Sequence, residues 1–387
     1  MSNKHSADDL RQMQNLPLEA KIMMTKERIR AWYESWTRFE IRNEKTGKTR
    51  YTTIDTREFG AEPELNEGEW IASAFPGAVY VSFSGGKDST VLKHIVDSMY
   101  DDVPSLFVNT GLEYPEIQKF AMSQKNVITV RPEMRFDEVL KKYGYPVVSK
   151  EVSWAVKYAK KSGTKSSEYY LKRFKGELLN EDGSKSMFNM EKWRFLVDAD
   201  FNADSSCCNV MKKKPLKNYA KTSGRKPIVG TMASESRMRY AKWLKFGCNA
   251  FDSKEPISKP LSFWTEQDIL RYLKTYNVPY CSVYGDIRVK PYDDDFQDQI
   301  NLIDYLGCYE QEDVLETTGC DRTGCIFCMF GCHLEKEPNR FQRLKETHPR
   351  QYEYCINGGE MVDGKWQPSK EGLGLGRVLD YIGVKYE

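Results

Sequence analysis

The sequence predicts an α/β protein: a parallel, twisted sheet with helices on both faces, accompanied by a smaller, mainly helical region. Two observations lead to this prediction. Three short apolar runs, at 78–84, 103–108 and 126–130, alternate with segments of helical periodicity, and strands that alternate with helices pair in parallel. Six of the ten cysteines fall into two tight groups, which indicates a cysteine cluster in the helical region.

The composition is that of a folded protein of two or three domains. The chain has 387 residues, of which 40% are hydrophobic and 13% aromatic, whereas disordered chains are poor in aromatic residues. Lys and Arg (58) nearly balance Asp and Glu (56), so an overall basic nucleic-acid-binding protein is disfavoured, although a local basic face is compatible with this balance. The mean hydropathy is −0.65, and no apolar run is long enough to span a membrane.

The N-terminus and the cysteine content predict a cytoplasmic protein without membrane association. The opening residues MSNKHSADDL lack the apolar stretch of a secretory signal. In a reducing compartment, ten cysteines indicate metal binding or catalysis more often than disulfides. Because the chain has only four histidines, we expect any metal to be held mainly by thiolates.

The elements are predicted in three segments along the chain. Residues 1–70 comprise an amphipathic helix over 16–36 and a charged hairpin or loop insertion over 42–68, residues 71–245 carry the sheet, and residues 246–387 form the helical region. Residues 135–162 are predicted helical with a break at 144–146, residues 163–190 show no clear period, and 226–230 is a short strand. A helix is predicted over 265–276, because Thr265 and Asp268 have the spacing of a capping box.

The strongest functional signal is the segment Ser84-Gly85-Gly86-Lys87-Asp88-Ser89-Thr90, between the first strand and its helix. Glycines let backbone N–H groups approach an anion closely, and a helix N-terminus adds free donors and partial positive charge. Hydroxyls of Ser84, Ser89 and Thr90 and the ammonium of Lys87 complete the pattern of a phosphate-binding loop. The spacing does not fit the Walker A motif.

This segment resembles the PP-loop of the ATP pyrophosphatase, or adenine nucleotide alpha-hydrolase-like, superfamily, whose fold is Rossmann-like. Segment 109–115 (NTGLEYP) resembles the DTG-x-x-[FY]-P segment of the phosphoadenosine phosphosulfate (PAPS) reductase branch, with Asn109 in place of the usual Asp. Segments 230–239 (GTMASESRMR) and 260–269 (PLSFWTEQDI) resemble two further motifs of that branch. The likeness spans about residues 75–335 and makes 71–245 the nucleotide-binding domain.

The resemblance implies binding of ATP with Mg²⁺ and cleavage between the α- and β-phosphates. Lys87, Asp88 and Arg237 would be catalytic, with Lys87 and Arg237 stabilising phosphate charge, and Mg²⁺ would bridge the phosphates. The residues implied in nucleotide binding are Ser84, Gly85, Gly86, Lys87, Asp88, Ser89, Thr90, Asn109, Thr110, Gly230, Arg237 and Arg239.

The two cysteine groups are Cys207-Cys208 and Cys320-x4-Cys325-x2-Cys328-x3-Cys332. A C-x-x-C spacing places two thiolates on one metal site. The pair together with the distant C-x-x-C resembles the iron–sulfur motif of adenylylsulfate reductases, and Dnd-type DNA-phosphorothioation sulfurtransferases also combine a PP-loop with such cysteines. We predict a 4Fe–4S cluster on Cys208, Cys320, Cys325 and Cys328, with Cys207 and Cys332 as alternate ligands and Zn²⁺ as the alternative metal.

A basic stretch at 156–175 alternates Lys and Arg with Tyr and Phe. Such a stretch can follow a nucleic-acid backbone and stack bases, or it can be a solvated insertion. Lys212, Lys213 and Lys214 follow the cysteine pair and either counter its negative charge, hold an anionic substrate or form a surface run. The partners considered are therefore ATP, a nucleic-acid substrate, a sulfur donor such as a cysteine desulfurase, and a DNA-acting protein.

Three functions are consistent with these motifs. The first is an ATP pyrophosphatase that adenylates a substrate for iron–sulfur-linked sulfur transfer. The second is a sulfonucleotide (PAPS or adenylylsulfate) reductase, but the chain lacks the E-C-G-L-H motif of those enzymes, and its last cysteine is Cys355 in EYCINGG. The third is a nucleotide-binding regulatory partner without turnover.

Overall fold

The structure is a computed structural model that describes residues 4–57, 60–161, 163–291 and 313–387. The strands are β1 (Trp36–Asn43), β2 (Thr49–Asp55), β3 (Glu69–Pro76), β4 (Val79–Phe83), β5 (Ser105–Val108), β6 (Val127–Val130), β7 (Lys226–Val229), β8 (Asn249–Ala250), β9 (Ile257–Ser258), β10 (Ile287–Val289), β11 (Leu315–Thr317), β12 (Glu360–Val362) and β13 (Lys365–Gln367). The α-helices are α1 (Ala7–Gln14), α2 (Leu18–Glu34), α3 (Lys87–Asp97), α4 (Pro115–Ser123), α5 (Phe136–Tyr143), α6 (Lys150–Ala159), α7 (Lys165–Lys175), α8 (Lys214–Ser223), α9 (Arg237–Phe246), α10 (Glu266–Thr275), α11 (Arg340–Thr347), α12 (Pro349–Ile356) and α13 (Leu375–Tyr381). Within the described ranges, every helix is too short or too polar to traverse a lipid bilayer.

The chain divides into two compact units. The first unit comprises residues 1–108, 114–130 and 216–323, and the second comprises residues 109–113, 131–215 and 324–387. Each unit is assembled from segments that are distant in sequence. The sequence-based boundaries near residues 70 and 245 remain a prediction.

The first unit is built on a six-stranded sheet in the order β6-β5-β4-β7-β9-β8. All neighbours in it are parallel except β8, which is antiparallel to β9. The predicted α/β class is thus confirmed, with a mixed and mostly parallel sheet. Strand β4 is central and buried at four of five positions, as expected for a strand covered on both faces.

The strand order reverses direction at β4. The chain runs from β4 outward through β5 to β6 and then returns to the other side of β4 as β7. In open α/β sheets, such a switch point opens a crevice at the carboxyl ends of the strands, where ligands bind. The turn from β4 into α3 lies at this position.

The insertion predicted over 42–68 contains part of a separate antiparallel sheet in the order β2-β1-β3. A one-residue register shift between Glu40 and Ile41 marks a bulge in the pairing of β1 with β3. The hairpin alternative is therefore the one that the structure shows, extended by a third strand.

Two helices of the first unit agree closely with their prediction. Helix α2 is 17 residues long and buries Ile22, Ile29 and Trp32. Helix α10 begins as predicted, because the Thr265 side chain accepts from the backbone of Asp268 and the Asp268 carboxylate accepts from the backbone of Thr265. This reciprocal cap satisfies donors that the first turn of a helix otherwise leaves unpaired.

The second unit is mainly helical in its described part. Helices α5 and α6 are separated at Gly144 as predicted, and its φ of +108° belongs to a region that glycine tolerates. Helix α7 was not predicted, because its buried side includes Ser167 and Arg173 beside Phe174. A helix that buries polar residues shows no clear apolar period.

Candidate phosphate and cysteine sites

The predicted phosphate loop lies at the carboxyl end of β4, where the chain turns into α3. Gly85 has a φ of +73°, and a Cβ there would approach the Ile117 side chain to 3.0 Å. Gly86 is the N-cap of α3. Gly85 therefore strongly favours glycine, whereas Gly86 has an ordinary φ of −76°, and a Cβ there would lie 3.2 Å from the Ser84 and Tyr284 hydroxyls.

The hydroxyls of the loop bond mainly to the loop itself. Ser89 Oγ and Thr90 Oγ1 both donate to the carbonyl of Gly86, at 2.9 and 3.0 Å. Ser84 and Ser89 also share a hydrogen bond of 3.0 Å between their hydroxyls. These bonds hold the turn in shape. Their role in binding a nucleotide remains a prediction.

Lys87 is buried, with 3% of its surface exposed. Its ammonium donates to the Asp321 carbonyl at 2.5 Å and pairs with the Glu266 carboxylate at 2.9 Å. The Glu266 side chain is 45% exposed, so its carboxylate stays accessible to water whereas the Lys87 ammonium does not. A phosphate would compete with the Glu266 carboxylate for the same ammonium.

Asp88 is the loop residue whose charged form is disfavoured by its surroundings. Its Oδ1 atom is buried and has no hydrogen-bond partner among the described residues, and the Lys87 ammonium lies 3.9 Å away. Burial raises the pKa of Asp88 to about 6, opposed by Lys87 and assisted by Glu266 and Glu235. A carboxylate oxygen with unused acceptor capacity beside a phosphate loop fits the ligand preference of Mg²⁺.

The other predicted nucleotide-binding residues of the first unit follow β7. A Cβ on Gly230 would lie 3.0 Å from the carbonyl oxygen of Asp88, so only glycine allows this approach to α3. Arg237 is exposed at the start of α9. Arg239 forms an ion pair with Glu235, which also pairs with Arg322.

The residues that sequence reasoning missed at this site are Tyr284, Thr323, Glu266 and Asp321. The Tyr284 hydroxyl accepts from the backbone N–H of Lys87 at 3.2 Å and lies 2.7 Å from the Thr323 hydroxyl. Glu266 and Asp321 also line a cavity of about 350 Å³. Glu266 sits in the predicted helix 265–276, but nothing in the sequence connects any of these residues with Lys87, which lies about two hundred positions earlier.

Four of the six clustered cysteines interact in the second unit. The Sγ atoms of Cys207 and Cys208 are 4.0 Å apart. The Cys325 and Cys328 thiols both raise the pKa of Cys207. In turn, the Cys208 thiol raises the pKa of Cys325 and of Cys328. The predicted ligands Cys208, Cys325 and Cys328 and the alternate Cys207 are therefore electrostatically coupled within the second unit, and their role as metal ligands remains a prediction.

The surroundings of these thiols favour a thiolate at Cys208. The pKa of Cys208 is lowered to about 6, first by the Cys207 hydrogen bond and then by Lys150, Lys212 and Lys213, although burial opposes the shift. The Lys212 ammonium is also 3.8 Å from the Glu113 carboxylate. Burial raises the pKa of Cys325 and Cys328, so Cys208 is the one of these thiols that its surroundings favour as a thiolate. Soft sulfur donors beside lysines suit an anionic iron–sulfur cluster.

The other two clustered cysteines, Cys320 and Cys332, lie in different surroundings. Cys320 belongs to the first unit, where its charge contributes to raising the pKa of Cys281. Cys332 is buried, and its thiol donates to the carbonyl of Met329 at 3.0 Å. Among the described residues, no three His, Cys, Asp or Glu side chains converge closely enough to hold a single metal ion.

The two predicted residues that follow β5 belong to the second unit. Thr110 donates to the Glu113 carboxylate through its hydroxyl at 2.7 Å and through its backbone N–H at 3.1 Å. The Asn109 side chain accepts from the backbone N–H of Gly111 at 3.2 Å. Glu113 is itself buried and was not singled out from the sequence.

A mostly parallel sheet with a glycine-rich loop at its switch point defines an α/β protein with a candidate phosphate-binding loop. Residues 78–162 and 165–329, well over half of the chain, match the model of the phosphoadenosine phosphosulfate reductase domain. The chain belongs to this family. The confirmed PAPS reductase branch supports a nucleotide-binding enzyme of the sulfonucleotide reductase or PP-loop type, whereas the similarity to Dnd-type sulfurtransferases is not confirmed.

Two individual proteins are similar to the chain. An uncharacterized protein of Methanocaldococcus jannaschii is 34% identical over 121 residues, which are 30% of this chain and 28% of that protein. The chain thus matches less than a third of this curated relative's length. The crystal structure of PAPS reductase from Candida auris, in complex with phosphate, has a TM-score of 0.30 and 15% identity, covering 54% of this chain and 76% of that one.

Proposed function

We propose that the protein is an ATP pyrophosphatase that adenylates an acceptor as a step in sulfur transfer. The observation that carries this proposal is the phosphate loop, in which a buried lysine and a carboxylate with an unpartnered oxygen lie together at the N-terminus of α3. A cation and a helix N-terminus stabilise phosphate charge. A free carboxylate oxygen at the same place adds a ligand for the metal of a metal–nucleotide complex.

In the proposed reaction, a nucleophilic oxygen of the acceptor attacks the α-phosphorus of ATP. The bond to the oxygen that bridges the α- and β-phosphates breaks, and pyrophosphate leaves with that oxygen. The Lys87 ammonium would leave the Glu266 carboxylate and pair with a phosphate of ATP instead. There it would stabilise the negative charge that develops on the leaving pyrophosphate. Arg237, exposed and without an ion pair among the described residues, is free to add a second cation.

Two bound groups are implied, and the chain offers donors for both. Asp88 would hold Mg²⁺, which screens the phosphate charge when bound. Cys207, Cys208, Cys325 and Cys328 offer four soft donors in one unit for an iron–sulfur cluster, which would supply redox or sulfur chemistry when bound. Cys320 remains the predicted fourth ligand in place of Cys207.

A second candidate, reduction of a sulfonucleotide, is favoured by the family match itself. This reaction needs a thiolate nucleophile, and a reactive thiol is partly exposed and has a lowered pKa. Cys355 is completely buried in α12, and burial raises its pKa well above the usual value. Because Cys355 has neither property, we favour the pyrophosphatase.

The first test is pyrophosphate release from ATP and Mg²⁺ by the wild-type protein and by Lys87→Ala. Without the acceptor, water attacks the α-phosphorus in its place, so we expect AMP and pyrophosphate from the wild type. Loss of Lys87 should lower release at least about a hundred-fold, because a charge-stabilising donor is removed. Circular dichroism checks that the variant is folded.

Lys93→Met is the matched control, because Lys93 is also a buried lysine of α3 but pairs with Asp97 at 2.6 Å, away from the loop. It should retain release. ADP and phosphate as products, or undiminished release by Lys87→Ala, would contradict the proposal. Turnover of PAPS or adenylylsulfate with a thiol reductant, lost in Cys355→Ser, would establish the reductase instead.

A further inference from the structure

We propose that the face formed by helices α6 and α7 binds an unpaired strand of nucleic acid by base stacking and phosphate contacts. Both helices belong to the second unit and pack against each other. Ser162, between them, lies outside the described residues. The inference names the class of acceptor for the proposed function. The binding itself does not depend on that function, but the role of the bound strand as the acceptor rests on it.

The first observation is a continuous series of four aromatic rings across the two helices. Consecutive ring centroids of Trp154, Tyr158, Tyr170 and Tyr169 are 4.9, 5.6 and 5.2 Å apart. The two outer rings are the most accessible, with Trp154 42% and Tyr169 45% exposed. Exposed rings at the ends of such a series can each receive a base, since stacking on aromatic side chains is tolerant of base identity.

The second observation is the placement of cations beside these rings. Lys165, Tyr169 and Lys172 are spaced i, i+4, i+7 on α7, and Trp154 and Tyr158 are spaced i, i+4 on α6, which ends at Ala159, two residues before Lys161. Residues three and four apart lie on one face of a helix. The Lys161 ammonium is 4.9 Å from the Tyr158 ring centroid. Helix α7, and α6 with the residues that follow it, therefore present aromatic and basic side chains side by side.

The third observation is charge. Residues 150–175 contain eight Lys and Arg against two Glu, a net charge of +6, whereas the whole chain is at +2. Lys157, Lys160 and Arg173 are engaged with Asp204, backbone carbonyls and Glu151. The exposed lysines 161, 165, 172 and 175 have no ion pair within the described ranges. The positive charge of the whole chain is thus concentrated at this face, which suits a polyanion.

Two other occupants fit less well. A duplex hides its bases from side-chain stacking, so it would use the lysines and leave the rings unused. A membrane-surface helix needs a broad apolar face directed at the lipid. The apolar face of α6, with Val152, Ala155 and Val156, is instead buried in the protein.

The test is fluorescence anisotropy of a labelled oligonucleotide of about 16 deoxythymidines, titrated with the full-length protein without ATP. The wild type should bind with a strong salt dependence and prefer the single strand over a duplex of equal length. Trp154→Ala and Tyr169→Ala should each weaken binding about ten-fold. Tyr169→Phe, which keeps the ring, should bind like the wild type.

The charge contribution is measured separately. Replacing Lys161 and Lys172 with Gln should lower the slope of log affinity against log salt by about 0.7 for each phosphate that the variant no longer neutralises. It should also weaken binding of every sequence alike, because phosphate contacts carry no base information. An unchanged slope would overturn the assignment of the phosphate contacts to this face.

Matched controls come from the β1–β3 sheet, which has aromatic residues of equal exposure. Trp70 is 44% and Tyr51 47% exposed, so Trp70→Ala and Tyr51→Ala remove the same ring types elsewhere and should leave binding unchanged. Equal weakening by both sets, equal affinity for duplex, or binding to anionic phosphatidylserine vesicles without binding to the oligonucleotide would each overturn the proposal.

The two proposals fail separately. Lys87→Ala should abolish pyrophosphate release and leave oligonucleotide affinity unchanged, because Lys87 lies outside the α6–α7 face. Trp154→Ala should weaken oligonucleotide binding, whether or not ATP is cleaved. Strand binding without AMP formation would refute the pyrophosphatase alone, and AMP formation without strand binding would refute the docking face alone.

Discussion

Two buried lysines of the first unit each pair with a carboxylate in the first turn of α10, yet their surroundings differ. Lys21 and Lys87 are 2% and 3% exposed. Lys21 holds both oxygens of Asp268, at 2.7 and 2.8 Å, and the Asp268 side chain is only 5% exposed. Lys87 pairs with Glu266, whose side chain is 45% exposed.

The difference separates a structural pair from a replaceable one. Asp268 also accepts hydrogen bonds from the backbone and side chain of Thr265, so the Lys21 pair belongs to a closed network that joins α2 to α10. Glu266 faces solvent, so its carboxylate can be hydrated when another anion replaces it at the buried Lys87 ammonium. A buried lysine that can change its partner is suited to binding an anion, whereas a fully enclosed lysine is suited to holding the fold.

The largest expected effect on stability comes from Lys21→Met. It should lower the free energy of unfolding by about 3–5 kcal/mol, because the Asp268 carboxylate is left buried without its counter-charge. Chemical denaturation measures this change. Lys93→Met should cost about 1 kcal/mol or less, since its partner Asp97 is 41% exposed. If the two variants lost the same free energy of unfolding, the exposure of the partner carboxylate would not determine the contribution of a buried lysine to stability.

A smaller effect of opposite sign is expected at Asp88. Burial raises the pKa of Asp88 to about 6 in the folded protein, from an ordinary value of 3.8. Its charged form is disfavoured, so its contribution to stability is greatest below about pH 4 and is lost as the pH rises through about 6. Asp88→Asn should therefore stabilise the protein by up to about 3 kcal/mol at pH 7 and by almost nothing below pH 4.

Urea unfolding of the wild type and of Asp88→Asn between pH 4 and pH 8 checks this prediction. Asp97→Asn is the control, because Asp97 pairs with Lys93 and neutralising it can only weaken that pair. A stabilisation by Asp88→Asn that does not depend on pH would show that desolvation of the carboxylate is not its cause. Activity should fall in the same variant if Asp88 holds Mg²⁺.

The smallest expected effect is at Glu266. Glu266→Gln removes the carboxylate that competes for Lys87, so pyrophosphate should bind roughly two- to five-fold more tightly. Isothermal titration with pyrophosphate measures the affinity. Glu316→Gln, which removes another carboxylate from the same cavity, is the control, and weaker binding by Glu266→Gln would show that Glu266 supports the site.

Local rules in the sequence predicted the elements that position the phosphate loop. The apolar run before Ser84, the two glycines and the following helical period specify strand, turn and helix without reference to the rest of the chain. The capping box of Thr265 and Asp268 was predictable for the same reason. Helix α7 was not, because it buries Arg173, whose guanidinium pairs with Glu151 and donates to the Phe188 carbonyl.

By itself, therefore, the sequence determined the α/β class and the strand–turn–helix that carries the predicted phosphate loop. Only the tertiary structure decided which side chains meet the loop and the cysteines: Glu266, Asp321 and Tyr284 at Lys87, and Lys212 at the thiols. The physical reason is range. Strands, turns and caps depend on neighbours within a few residues, whereas the partners of a buried charge are selected by packing between segments hundreds of residues apart.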